Sequence, residues 1–216
     1  MEATAELIKA IESNEKSTVE RLINSEPELA SSTLSSGLSA LLLASYYRHK
    51  ELIDILLSNR VQIDLHEASA IGRASLADEL LECDPFSVNS FSVDGFTPLG
   101  YACYFDHYET AKLLIECGAN VNLASNNEFK VAPIHSAVAC QSIEITQLLI
   151  EHRANVNVAQ IRGVTPLHTA AHSGNQKLVE ILIEAGADKE AQTDDGRTPF
   201  EMAVEKKHKT LKRYLV

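Results

Sequence analysis

A repeated tetrapeptide constrains this chain more than any other feature. Thr97-Pro98-Leu99-Gly100, Ala132-Pro133-Ile134-His135, Thr165-Pro166-Leu167-His168 and Thr198-Pro199-Phe200-Glu201 are each followed two residues later by an alanine. Those alanines, Ala102, Ala137, Ala170 and Ala203, are separated by 35, 33 and 33 residues. A fixed period of this length means stacked copies of one supersecondary unit, because a single copy cannot bury its own apolar face.

Residues 163–196 show how one unit is built. Gly163 supplies the positive φ of a tight hairpin tip. Thr165 is a good helix N-cap, and Pro166 takes the first helical position, where a missing N–H costs nothing. Leu167 and Ala170 face inward, and Gly174 ends this short helix. Leu178, Val179, Leu182 and Ile183 follow at helical spacing, and Gly186 stops the second helix. Asp188 to Gly196 then form the next hairpin.

On these residues the chain resembles ankyrin-repeat proteins from end to end, and its layout is similar to small stand-alone ankyrin proteins common in bacteria. The resemblance implies an all-α solenoid of helix–turn–helix units joined by β-hairpin loops. Weaker copies extend it toward the N-terminus. Leu65-His66-Glu67-Ala68 replaces the proline-containing motif, Ala44 follows Ser39-Ala40-Leu41-Leu42-Leu43, and Ala10 precedes Val19, Leu22 and Ile23. About seven units are expected in a single domain over 1–216. They are an N-terminal cap repeat (1–37), a shortened repeat (38–64), repeats at 65–96, 97–131, 132–164 and 165–197, and a C-terminal cap (198–216). Ala44 and Ala68 are only 24 residues apart, about nine short of a repeat. With helices intact on both sides, the hairpin is the missing part. Residues 59–65 are expected to form a brief loop, with a gap in the row of hairpin fingers. Residues 126–130 read as a slightly lengthened hairpin without a tip glycine.

Composition narrows the function classes. The chain has 216 residues, 45% of them hydrophobic, with no Trp and a net charge of −11. A nucleic-acid ligand would call for a basic stripe. The one basic cluster, Lys206-Lys207-His208-Lys209 with Lys212 and Arg213, reads as a solvated cap or a local docking patch for an acidic partner. No apolar run reaches the roughly 18–20 residues that cross a bilayer, and the acidic start lacks the basic region of a signal peptide. The expected location is cytoplasmic, or nucleocytoplasmic in a eukaryote, and the expected state is a monomer. Cys83, Cys103, Cys117 and Cys140 form no C-x-x-C and no zinc framework, and read as structural thiols.

No catalytic constellation emerges: G-x-S-x-G, a phosphate-binding glycine loop and H-E-x-x-H are all missing from the sequence. No catalytic residue, cofactor or metal is expected. His168 and His172 have a chelating spacing. The resemblance instead implies that His168, with His135 and His66, hydrogen-bonds the backbone of neighbouring turns. It also marks Asn122 and Asn157 as positions that can be hydroxylated in eukaryotic relatives, beside a structural role in bonding the hairpin backbone. Asp194-Asp195-Gly196 looks like part of a calcium loop but lacks the other ligands, so turn chemistry explains it.

The resemblance further implies a concave groove lined by hairpin tips and first helices, and it marks the residues flanking the tip glycine and the second and third residues after each motif alanine as exposed. In this sequence those slots hold Tyr46 and Tyr47, then Ala70 and Ile71, then Tyr104 and Phe105, with Val93 and Phe96 on the hairpin, before turning polar at His172 and Ser173. Tyr46, Tyr47, Ile71, Phe96, Tyr104 and Phe105 are the candidate partner-binding residues, for exposed aromatics often mark binding surfaces. The competing reading has Tyr46, Tyr47, Tyr104 and Phe105 packing on one another to fill the gap. A protein-interaction scaffold or adaptor is the leading function. An enzyme or small-ligand protein on the same frame, and self-association through the groove, are the alternatives.

Overall fold

The computed structural model describes residues 2–59 and 62–216. Fourteen α-helices among them pair in chain order. The first pair is α1 (Glu2–Glu12) and α2 (Lys16–Ser25), the second α3 (Ala40–Tyr46) and α4 (Lys50–Ser58), and the third α5 (Leu65–Ala70) and α6 (Ala74–Cys83). Next come α7 (Pro98–Tyr104) with α8 (Tyr108–Glu116), α9 (Pro133–Ala139) with α10 (Ile143–Glu151), and α11 (Pro166–Ser173) with α12 (Gln176–Glu184). The last unit is α13 (Pro199–Glu205) followed by a 3-10 turn at Lys209–Leu211 and α14 (Lys212–Leu215). Each first helix packs on the first helix of the next unit, which makes the array an all-α solenoid.

The motif residues start the helices as their chemistry requires. Thr97 Oγ1 accepts from Gly100 N–H at 3.0 Å, and Thr198 and Glu201 form a reciprocal capping box. Thr165 departs from this scheme: its N–H and hydroxyl both turn to His168 Nδ1, at 3.2 and 2.8 Å. Gly174 takes the left-handed conformation at φ +76° and ends α11. Leu167 and Leu182 lie in one core.

Adjacent units are also sewn together by asparagines. Asn89 Nδ2 donates to Gly118 O at 3.2 Å and its Oδ1 accepts from Asn120 N–H at 2.8 Å. Asn122 does the same to Arg153 O and Asn155 N–H, and Asn157 to Gly186 O and Asp188 N–H. Each carboxamide thus joins its own loop to the loop of the next unit. Asn89 is the member that the sequence motif did not reveal.

The shortened unit behaves differently from its expectation. Helix α4 ends at Ser58, and Asp64 caps α5 through a box with Glu67. Of the expected loop, residues 60 and 61 lie outside the described residues, and 62–64 have no regular structure. Among the described residues the row of fingers nevertheless has no open gap. The tip glycine of the hairpin at 33–39, Gly37, lies against Val93 of the hairpin at 92–96, so closely that a Cβ on Gly37 would come 2.7 Å from Val93 Cγ1. With one finger missing, its two neighbours close directly on each other.

The core reflects the same event. One apolar cluster joins residues from Leu7 to Leu56, and a second runs from Leu65 to Leu215. Between them sits a small third cluster of Leu42, Ala70, Tyr101 and Phe105, flanked by Leu38, Tyr46 and Phe96.

Candidate functional site

Four of the six candidate residues converge at this joint. Tyr46 leaves the last turn of α3, and its ring centroid lies 5.9 Å from Tyr104 and 5.5 Å from Phe105. Tyr104 and Phe105 meet edge to face at 5.0 Å. Phe96 reaches the group through Tyr101, at 5.8 Å. Tyr47 stands apart, exposed and stacked on His49 at 5.6 Å, and Ile71 lies half-buried at the end of α5.

Phe105 is a correction. The repeat register marks it as solvent-facing, but it is only 7% exposed, packed with Tyr46 and Tyr104 as the competing reading has it, with Tyr47 outside the group. In the fourth unit its ring is covered by Tyr46 of the second unit, because the third unit offers only Ala70 at the intervening position. Tyr101 was missed altogether. It is 1% exposed and stacks on Phe105 at 6.2 Å. Its position one residue before the motif alanine gives no sign that it carries a polar role.

That role centres on Asp94, at the tip of the finger pressed against Gly37. The Tyr46 hydroxyl donates to Asp94 Oδ2 at 2.7 Å, and the Tyr101 and Ser92 hydroxyls donate to Oδ1. Burial pushes both phenols well above the ordinary tyrosine value, and the adjacent carboxylate adds to the shift. They therefore stay protonated and act as donors. Tyr46 crosses the place of the missing hairpin to reach the next finger.

Further apolar exposure runs along the finger tips, beside isolated exposed side chains elsewhere, Phe86 after α6 and Val204 on α13. Val93 is 71% exposed, Phe129 48% and Ile161 40%, one on each of three successive fingers. Backbone bonds join the fingers: Asn126 N–H donates to Gly95 O at 3.0 Å, Ile161 N–H to Phe129 O at 2.9 Å, and Asp194 N–H to Arg162 O at 3.0 Å. Exposed Tyr104 and Tyr47 lie on the helix ends. Phe129 escaped the sequence reading because its hairpin lacks a tip glycine, whereas Ile161 stands two residues before Gly163, as Val93 does before Gly95, and that register could have found it. The fourth finger is polar. Arg197 pairs with Asp195 at 2.8 Å and Glu205 at 3.1 Å, and the guanidinium holds the Asp195 carboxyl down, to about 2.

The other candidate chemistry resolves into structure. His168 Nε2 donates to Arg197 O at 2.9 Å, so both ring nitrogens are committed. His66 Nε2 lies 3.2 Å from Ser90 O, and His135 Nδ1 accepts from Ala132 N–H at 3.2 Å. All four thiols are free; Cys103 is buried and Cys140 Sγ points at its carbonyl, 3.2 Å away. Among the described residues no group of three His, Cys, Asp or Glu side chains is placed to hold a metal, and no helix is long and apolar enough to cross a membrane.

A family model for ankyrin repeats matches residues 65–160 and 157–216. The chain is 32% identical over 95 residues to the ankyrin repeat protein nuc-2 of Neurospora crassa, covering 44% of this chain and 9% of that protein. It is 28% identical over 115 residues to human ankyrin repeat and SOCS box protein 11, covering 53% and 27%. Human transient receptor potential cation channel subfamily A member 1 is 35% identical over 103 residues, covering 47% and 9%. The chain thus spans less than a third of the length of each of these relatives.

Proposed function

We propose that this chain, which belongs to the ankyrin-repeat family, is a non-catalytic interaction module that binds another protein along its finger tips and adjoining helix ends. The observation that carries this reading is the apolar row of Val93, Phe129 and Ile161 on three hydrogen-bonded fingers. A monomer gains nothing by holding apolar side chains there, and a contiguous exposed apolar patch marks an interaction surface. In this reading Tyr47 and Tyr104 extend the contact, while Tyr46, Phe96, Phe105 and Ile71 set its shape from beneath. The net charge of −11 favours a partner with a basic rim and an association rate that falls as salt rises.

A photo-crosslinking residue placed in turn at Val93, Phe129 and Ile161 tests this in extracts of the native cell. One protein should be captured from all three tips, and not from Lys112 or Glu151 on the second helices. Phe129→Asp with Ile161→Asp should abolish that capture without changing the thermal midpoint. Equal capture from the second helices, or undiminished binding by the double variant, would refute the tip surface.

A further inference from the structure

The shortened unit changes the back of the molecule as well as the row of fingers. Neighbouring second helices pack closely at α2–α4, α6–α8, α8–α10 and α10–α12, whereas α4 and α6 make no comparable contact. The turn between α5 and α6 is also pared down. It carries Ala70 and Gly72 where the units on either side carry Tyr46 and Arg48, or Tyr104 and Asp106. Together these features leave a cavity of ≈ 440 Å³ spanning the second, third and fourth units. That size suits a small organic ligand.

Its lining has two halves. Ile53 and Leu57 of α4, Ile71 and the edge of Phe105 form an apolar wall. Arg48, Lys50 and Arg73 supply three exposed cations against one carboxylate, Asp54. The Arg48 guanidinium makes one long bond, 3.4 Å to Tyr104 O, and among the described residues no ion pair engages Lys50 or Arg73. His107 closes one end with its Nε2 fixed on Ala70 O at 3.0 Å, and burial keeps this ring neutral. In a chain of net charge −11, a local excess of cations beside an apolar wall selects for charge and shape at once.

We propose that this cavity is a binding site for a small organic anion with an apolar body, such as a medium-chain monocarboxylate. Its chain would lie along Ile53, Leu57 and Ile71, with the carboxylate between Arg48 and Arg73. Arginine suits that end because its planar fork pairs with a carboxylate through two parallel bonds. The site opens away from the finger tips, sharing with the surface beneath them only Ile71 and Phe105, and does not depend on whether the tips bind a protein.

Octanoate is the probe, titrated into the full chain by calorimetry with neutral 1-octanol as its control. Octanoate should bind saturably, one per chain, and 1-octanol at least tenfold more weakly. Arg48→Gln with Arg73→Gln should weaken octanoate about tenfold or more, the loss of a charge-assisted pair. Ile71→Glu, which sets a carboxylate in the cavity, should abolish binding. Phe129→Asp should leave it unchanged. Melting curves confirm folding, since the two arginines are exposed and their removal should not move the midpoint. Non-saturating heats, equal binding of 1-octanol, or full affinity in the arginine double variant would each overturn the site.

Discussion

At the scale of single residues, His168 ties its unit to the next only while uncharged. His168 must accept at Nδ1 and donate from Nε2, which fixes one neutral tautomer. His135 is similarly buried and accepts at Nδ1, and desolvation lowers its pKa to about 4. The unfolded chain takes up that proton near the ordinary histidine value of about 6.5. Between these two values the unfolded state binds more protons, so stability is highest above about 6.5 and falls as pH drops toward 4. Urea midpoints at pH 7 and pH 5 should show the native chain losing about 2 kcal/mol more than His135→Gln over that interval. Carboxylates shift both proteins alike, so the difference isolates this ring. An identical pH slope for the two proteins would mean that His135 remains ionisable in the fold.

At the scale of elements, the finger carrying Asp94 is clasped to two helices. One carboxylate accepts from Tyr46 of α3 and Tyr101 of α7, so the finger is locked on both sides of the shortened unit. Asp94→Ala leaves two buried phenols short of an acceptor and should cost ~2–4 kcal/mol in urea unfolding. Adding Tyr46→Phe should recover part of that loss, since removing both partners is nearly neutral. Strictly additive losses in the double variant would show that the Tyr46–Asp94 bond is not a coupled pair. The sequence made the helices, the finger glycines and the missing segment legible, because period and turn chemistry are local. It did not reveal the clasp. A register assigns each residue the surroundings it has in a regular array, and deleting one finger gives Tyr46, Val93 and Phe105 new neighbours from two units away. The polar tip of Asp94 and the burial of Phe105 both follow from that closure. The back cavity escaped for the same reason, as spacing alone does not show how loosely α4 meets α6.

At the scale of the whole molecule, the deletion divides the solenoid. The N-terminal apolar cluster ends at Leu56 and the main cluster begins at Leu65, which is also where the family match begins. Stability in such an array is a sum of unit terms and nearest-neighbour interfaces. The interface between the second and third units rests on the aromatic joint and on the buried bond from Ser39 to Glu67 at 2.5 Å, where regular units also share a full second-helix contact. Weakening the joint should therefore uncouple α1–α4 from the rest, while an equal loss inside the main cluster should not. Tyr46→Ala with Tyr101→Ala is expected to turn urea unfolding from one transition into two. Amides of α1–α4 should lose hydrogen-exchange protection in the first step, and those of α9–α12 should keep it until the second. Leu149→Ala, a truncation in the main cluster that costs about 2–5 kcal/mol, should lower the main transition without producing that split. A single transition in the aromatic double variant, with protection lost together at both ends, would show that the two clusters fold as one unit and that the aromatics are ordinary core.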